Sequence, residues 1–191
     1  MLPIHKSKIW FVALFLMFAG LSSLGCDLAT PTKTTPQMQI VGWGQNNILS
    51  KWIEVRPPQS FLVVKVRLPF DLVGNTQPDG SFLGHISSRD FTLVRTQSAL
   101  GVRDFQPAGA KTGSEGYLEG DIQQNLNFPQ ERKPEFIEWI VFFPLTTADA
   151  SLPSYALRFR DQPLVRLTPT KREEVESLTD PQVVWPATGK P

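Results

Sequence analysis

Phe61-Leu-Val-Val-Lys-Val-Arg-Leu-Pro-Phe70 is the stretch that decides how this chain folds. Leu62, Val64, Val66, Leu68 and Phe70 recur at every second position, with Lys65 and Arg67 on the opposite side. That alternation belongs to a half-buried antiparallel strand and not to a helix, whose apolar positions return every three to four residues. Tyr155-Ala-Leu-Arg-Phe-Arg160 repeats the pattern, with Tyr155, Leu157 and Phe159 set against Ala156, Arg158 and Arg160. Phe136-Ile-Glu-Trp-Ile-Val-Phe-Phe143 is apolar on nearly both sides and lies between Pro134 and Pro144, as suits a central strand.

Weaker strand signals lie over Met38–Trp43, Ile48–Val55, Asp90–Val94, Gly101–Phe105 and Leu164–Leu167. No helical period extends beyond about two turns between Gln37 and Thr168, which excludes parallel α/β folds built on crossover helices. The expectation is an all-β, immunoglobulin-like antiparallel sandwich of about seven to eight strands over residues 37–168. Leu62, Val64, Val66, Trp139, Val141, Leu157 and Phe159 should form its core. Asp71–Gly84 and Gln106–Phe128, polar and rich in Gly and Pro, read as long loops with room for short ribbons, and residues 169–191, with one or two helical turns over Lys171–Leu178, read as a flexible C-terminal tail.

Composition narrows the chemistry. The chain has 191 residues, 19 basic against 18 acidic, for a formal net charge of +1. That balance gives no general attraction for nucleic acid, while 41% apolar residues suffice for a core. The single Cys excludes an internal disulfide. With only His5 and His85, the chain has few means to build a His-based metal site or a Ser/His/Asp triad.

At the N-terminus, His5, Lys6 and Lys8 precede an uncharged run from Ile9 to Gly25 with an apolar centre, the layout of a secretory signal peptide. Its end, Leu21-Ser-Ser-Leu-Gly-Cys26, resembles the lipobox of bacterial lipoproteins. The resemblance implies cleavage of residues 1–25 between Gly25 and Cys26, with lipid on the Cys26 thiol. One departure is Ser23, at the position where Leu is commonest, with Leu24 one place late. The other reading is an uncleaved anchor helix with Cys26 as an incidental thiol. Asp27 resembles an inner-membrane retention signal of bacteria with two membranes, and a chance surface Asp accounts for it equally.

Cleavage removes Lys6 and Lys8, leaving 17 basic side chains against 18 acidic ones, so membrane association would rest on the acyl chains. Residues 26–36 then form a Thr/Pro-rich tether, extended enough to raise the folded part roughly 30 Å above the bilayer.

Phe61-Leu-Val-Val-Lys-Val, Ser88-Arg-Asp-Phe-Thr-Leu-Val94, Trp139-Ile-Val-Phe-Phe-Pro144 and Tyr155-Ala-Leu-Arg-Phe-Arg-Asp161 together resemble the telokin-like immunoglobulin-fold domains of bacterial envelope lipoproteins. The resemblance covers roughly Gln37 to Thr168. It implies fold and location and supplies no catalytic residue, since the family's activity is uncharacterised. The Asp71–Gly84 segment is longer than the family pattern implies.

Candidate chemistry is sparse. His85 would need a nucleophile and an orienting acid to act as a general base, and reads better as a surface or turn residue. Gly109-Ala-Lys-Thr-Gly-Ser114 superficially looks like a phosphate loop but has Ala110 before Lys111 and no strand-to-helix context, so it reads as a flexible loop. Asp71, Asn75, Asp79 and Asp121 offer oxygen ligands at a spacing unlike the recognised calcium loop, and no metal or cofactor is expected. Trp43, flanked by Gly42 and Gly44, Asp79 in its Pro-Asp-Gly turn, and Trp185 in Val-Val-Trp-Pro186, which would dock on the domain or on a partner, mark a candidate contact surface, with core packing the competing reading for Trp139 and one of Trp43 and Trp52. The sequence therefore points to a non-enzymatic binding or scaffolding module of the cell envelope, with an envelope protein or glycan as partner. A hydrolase working through carboxylates, such as a glycoside hydrolase, is the alternative.

Overall fold

The computed structural model describes residues 36–46, 48–50, 53–54, 59–96, 102–113, 116–146 and 154–187. The expected signal peptide, Gly25, Cys26, the tether through residue 35 and Trp52 lie outside the described residues.

The strands begin with β1 (Gln39–Asn46), β2 (Ile48–Ser50), β3 (Ile53–Glu54) and β4 (Gln59–Pro69). A four-residue helix α1 (Phe70–Val73) leads into β5 (Gly74–Thr76), β6 (Phe82–Ser87), β7 (Phe91–Arg95) and β8 (Arg103–Phe105). There follow β9 (Gly109–Lys111), β10 (Tyr117–Glu119), β11 (Gln123–Phe128), β12 (Phe136–Thr146), β13 (Tyr155–Phe159), β14 (Val165–Arg166) and β15 (Val183–Val184).

Apart from β2 and β3, which pair with each other, three sheets organise the described strands. The first has the order β1-β4-β12-β9-β10, with β15 also on β12; the second is β14-β13-β7-β8; a small third is β11-β6-β5. With β1, β4, β7, β8, β9, β12, β13 and β14 lettered A, B, C, C′, D, E, F and G in chain order, the two main sheets read A-B-E-D and G-F-C-C′. This is the strand order of an immunoglobulin sandwich with extra strands: C′ beside C, β10 beside D and β15 on E. The all-β sandwich expected from the alternation is thus present. The third sheet is an addition to it, made by β5 and β6 between strands B and C and by β11 between D and E.

The inner faces meet as the alternation requires. Leu62, Val64, Val66 and Leu68 of β4 and Trp139, Val141 and Phe143 of β12 share one core with Phe91 and Leu93 of β7 and Tyr155, Leu157 and Phe159 of β13. All seven residues expected in the core lie in it. Phe91 and Phe159, opposite each other in the second sheet, pack ring to ring at 5.0 Å. Each such large side chain contributes about 1.5–3 kcal/mol through burial.

Two expectations need correction and a third is sharpened. β4 is buried on both faces: Phe61 and Val63 join Ile140, Phe142, Val175 and Leu178 in a second apolar cluster outside the sandwich core. Asp71–Gly84 and Gln106–Phe128 carry the short ribbons for which the sequence left room, holding most of α1, β5 and the start of β6, and β9, β10 and β11. The expected flexible tail over 169–191 is, through residue 187, folded onto the first sheet. Arg172 bridges to Trp43, the Glu138 amide donates to the Gln182 carbonyl at 2.9 Å, and Val183–Val184 pair with Ile137 and Phe136. The outer face of β4 and β12 is too apolar to remain in water, and the C-terminal segment supplies its cover.

Candidate binding surface

The two outer faces of the sandwich differ in what reaches them. On the first sheet, Gly42 and Gly44 lie beneath the C-terminal segment. A Cβ on Gly44 would stand 2.5 Å from the Glu173 carbonyl oxygen, and one on Gly42 would stand 2.8 Å from Leu178. The glycines thus admit the chain's own backbone to β1, where the Glu173 amide donates to the Trp43 carbonyl at 2.8 Å. Trp43 offers no exposed contact surface and follows the competing core-packing reading. It is 8% exposed, its ring faces the core, and its Nε1 donates to the Thr168 carbonyl at 2.8 Å.

Next to this seam lies a buried ion cluster. Glu138 of β12 accepts from Lys65 at 2.8 Å and from Arg67 at 2.7 Å, both on β4. Lys65, only 3% exposed, also donates to the Thr179 hydroxyl at 2.7 Å. Burial pushes the Glu138 carboxyl up, but the hydrogen bonds and charges of Lys65 and Arg67 outweigh it and hold the group below the usual glutamate range. Tyr117, packed edge-on to Phe142, is pushed up to about 12 by burial, reinforced by the Glu176 and Asp180 carboxylates of the C-terminal segment. Asp180 in turn pairs with Lys111 at 2.5 Å, and the hydrogen bond and charge from that amine lower its carboxyl. Segment and sheet are therefore joined by backbone, apolar and ionic contacts together.

Trp185 closes the same run. Its ring packs edge-on to Phe128 at 5.5 Å, with the Arg132 guanidinium 4.8 Å above it. It docks on its own domain, which accounts for Val-Val-Trp without a partner. Asp79 remains on the surface, where its carboxylate accepts from the Ser81 hydroxyl and amide at 2.6 and 2.9 Å, bonds that lower its pKa and shape the turn. Trp43, Asp79 and Trp185 thus have separate local partners and are not drawn into one site by any of these contacts.

The remaining sequence candidates have separate structural partners. His85 Nδ1 lies 3.0 Å from Asn125 Oδ1 across β6 and β11. Gly109–Lys111, read as a flexible loop, is strand β9, paired with both β12 and β10. Of the four oxygen-ligand candidates, Asp71 pairs with Lys133, Asn75 accepts from Gln77, Asp79 binds Ser81 and Asp121 accepts from the Ser87 hydroxyl.

On the second sheet the outer face carries polar groups at the β7 and β13 ends, where Thr92 lies opposite Arg158. Beside the β7 and β13 ends lies an open hollow of about 630 Å³ lined by Arg89, Asp90, Thr92, Arg158, Arg160 and Asp161. Its geometry follows from register: Arg158 is opposite Thr92, Phe159 is opposite Phe91, and the Arg160 amide then donates to the Asp90 carbonyl at 2.7 Å. Arg160 has φ +47°, the one non-glycine positive φ among the described residues. That left-handed backbone costs roughly 1–2 kcal/mol. Its guanidinium donates to the Leu72 and His85 carbonyls and to Asp90 at 2.9, 3.0 and 2.9 Å, holding α1 and β6 against the end of β13. Arg160 also walls a neighbouring hollow of about 420 Å³ beside Asp71, Asn75 and His85.

The other two arginines are held more loosely. Arg158 has Asp104 at 3.5 Å and is 40% exposed, while Arg89 has Asp121 at 3.3 Å and is 77% exposed. The sequence reading missed this arginine hollow. A signal was present: residues 82–105 and 154–166 contain six Arg, three Asp and neither Lys nor Glu. Comparison of the chain with protein-family models, curated proteins and solved structures yields no match.

Proposed function

We propose that the chain is a lipid-anchored extracytoplasmic protein that serves as a non-enzymatic binding or scaffolding module of the cell envelope, using the outer face of its second sheet. The observation that carries the binding role is the contrast between the faces: the chain's own C-terminal segment covers one, and the other presents a hollow with loosely paired arginines. The anchor rests on the sequence, where the only Cys follows Gly25 at the end of an apolar run. Two or three acyl chains on Cys26 give stable membrane attachment where one gives only marginal binding. The resemblance to telokin-like envelope lipoproteins belongs to the same reading, and an envelope protein or glycan is the partner class.

Mass spectrometry of the N-terminal peptide from membranes tests the anchor, with a lipidated Cys26 expected. A Cys26→Ala protein still processed and still membrane-held contradicts it. Crosslinking in the native envelope tests the binding role: reproducible capture of one molecule through the β7–β13 face is expected. Turnover of an envelope polymer, abolished by a single Asp or Glu substitution, overturns the non-enzymatic reading.

A further inference from the structure

We infer that the hollow between the β7 and β13 ends binds a phosphoryl group carried on a discrete envelope molecule; this names the ligand chemistry for the proposed binding face and rests on that proposal. Three arginines, Arg89, Arg158 and Arg160, and Thr92 are among the residues that line the hollow. A guanidinium presents its donors in a planar fork that matches phosphate oxygens two at a time, which an amine does not. Arg160 is already fixed by three acceptors, one of them the Asp90 carboxylate, so it stiffens the edge of the hollow and is not a mobile ligand arm.

Arg89 and Arg158 supply the adjustable donors. Their carboxylate neighbours stand at 3.3 and 3.5 Å on a solvent-exposed face, and pairs of that kind are weak enough to be replaced by a doubly charged oxyanion. Arg160 satisfies Asp90 at 2.9 Å, which leaves Asp161 as the acidic group on the rim. That mixture argues against a bilayer surface as the ligand. Membrane-binding faces present clusters of about four to eight basic residues, whereas this hollow offers three with two aspartates and favours one localised anion.

The test is titration calorimetry of the full-length protein in nonionic detergent at physiological salt, with a short polyphosphate as probe and inorganic phosphate as a second. Polyphosphate should bind. Arg89→Gln and Arg158→Gln should each weaken it about tenfold, and Lys133→Gln, on a different surface pair, should leave it unchanged. Arg160 is not substituted, because its hydrogen bonds hold the fold. No binding by the wild-type protein, or equal weakening by all three variants, overturns the inference. Arginine-dependent binding to phosphatidylglycerol vesicles that exceeds binding to polyphosphate overturns the choice of a discrete carrier. Envelope crosslinking that persists in an Arg89→Gln/Arg158→Gln protein would sink the phosphoryl assignment while leaving the binding-module reading intact.

Discussion

The two main sheets share one core and have opposite outer faces. Outside the first, Phe61, Val63, Ile140 and Phe142 form an apolar surface that Val175 and Leu178 cover. Outside the second, Thr92 and Arg158 stand opposite each other across β7 and β13, and next to them only the smaller apolar pair Val94 and Ala156 is buried. The difference follows from side-chain chemistry. A strand apolar on both sides must be covered twice, while one whose outward positions carry guanidinium groups can face water.

Breaking what the faces share should have the largest effect. Phe91→Ala or Leu157→Ala removes a fully buried side chain from the common core and should lower stability by about 2–5 kcal/mol in urea denaturation. Glu138→Gln acts on the first face alone. It leaves Lys65 charged and nearly buried without its carboxylate, and a loss of about 3 kcal/mol is expected. The wild-type pH profile carries the same information. Because the folded Glu138 pKa is depressed, its stabilisation is present above the ordinary glutamate range and is lost as pH falls through the lower folded value.

Smaller effects separate the faces further. Gly44→Ala would force its Cβ against the Glu173 carbonyl and should loosen the C-terminal segment at a cost of about 1–3 kcal/mol, with faster amide exchange at 172–180 and none of that change in β7 or β13. Tyr117 reports the same event spectroscopically. Held near 12 in the folded protein, it should ionise closer to tyrosine's ordinary value of 10.0 once the segment is loosened. In the wild type the raised value means that stability contributed by Tyr117 is intact below pH 10 and declines towards pH 12. Arg158→Gln on the open face should change stability by no more than about 0.5 kcal/mol, checked by the same urea titration.

The core was legible because a period of two over Phe61–Phe70 and Tyr155–Arg160 fixes which side chains point inward. What lies outside the core was less legible, for physical reasons. The alternation of β4 marks Lys65 and Arg67 as outward, but nothing local says that Glu138 and Thr179 will meet Lys65 there. Val175 and Leu178 carry the cover in a segment otherwise rich in Glu, Thr and Pro, too sparse a signal to separate from a solvated tail. Strands as short as Gly74–Thr76 have no period to read. The hollow depends on register, which sets Arg158 beside Thr92 and turns Arg160 back onto Asp90, and on a positive φ that an arginine does not advertise.

Native-state hydrogen exchange on the full-length protein tests the closed-face account most directly, read at the amides of Glu135, Glu138 and Glu173. These donate to the carbonyls of Val184, Gln182 and Trp43 at 2.9, 2.9 and 2.8 Å, so each is a bond between the C-terminal segment and the first sheet or its border. The account expects all three to be protected well above unstructured rates and to exchange together. Unprotected exchange at these three amides, with β4, β7 and β13 still protected, would show that the first face is as open as the second and would contradict it.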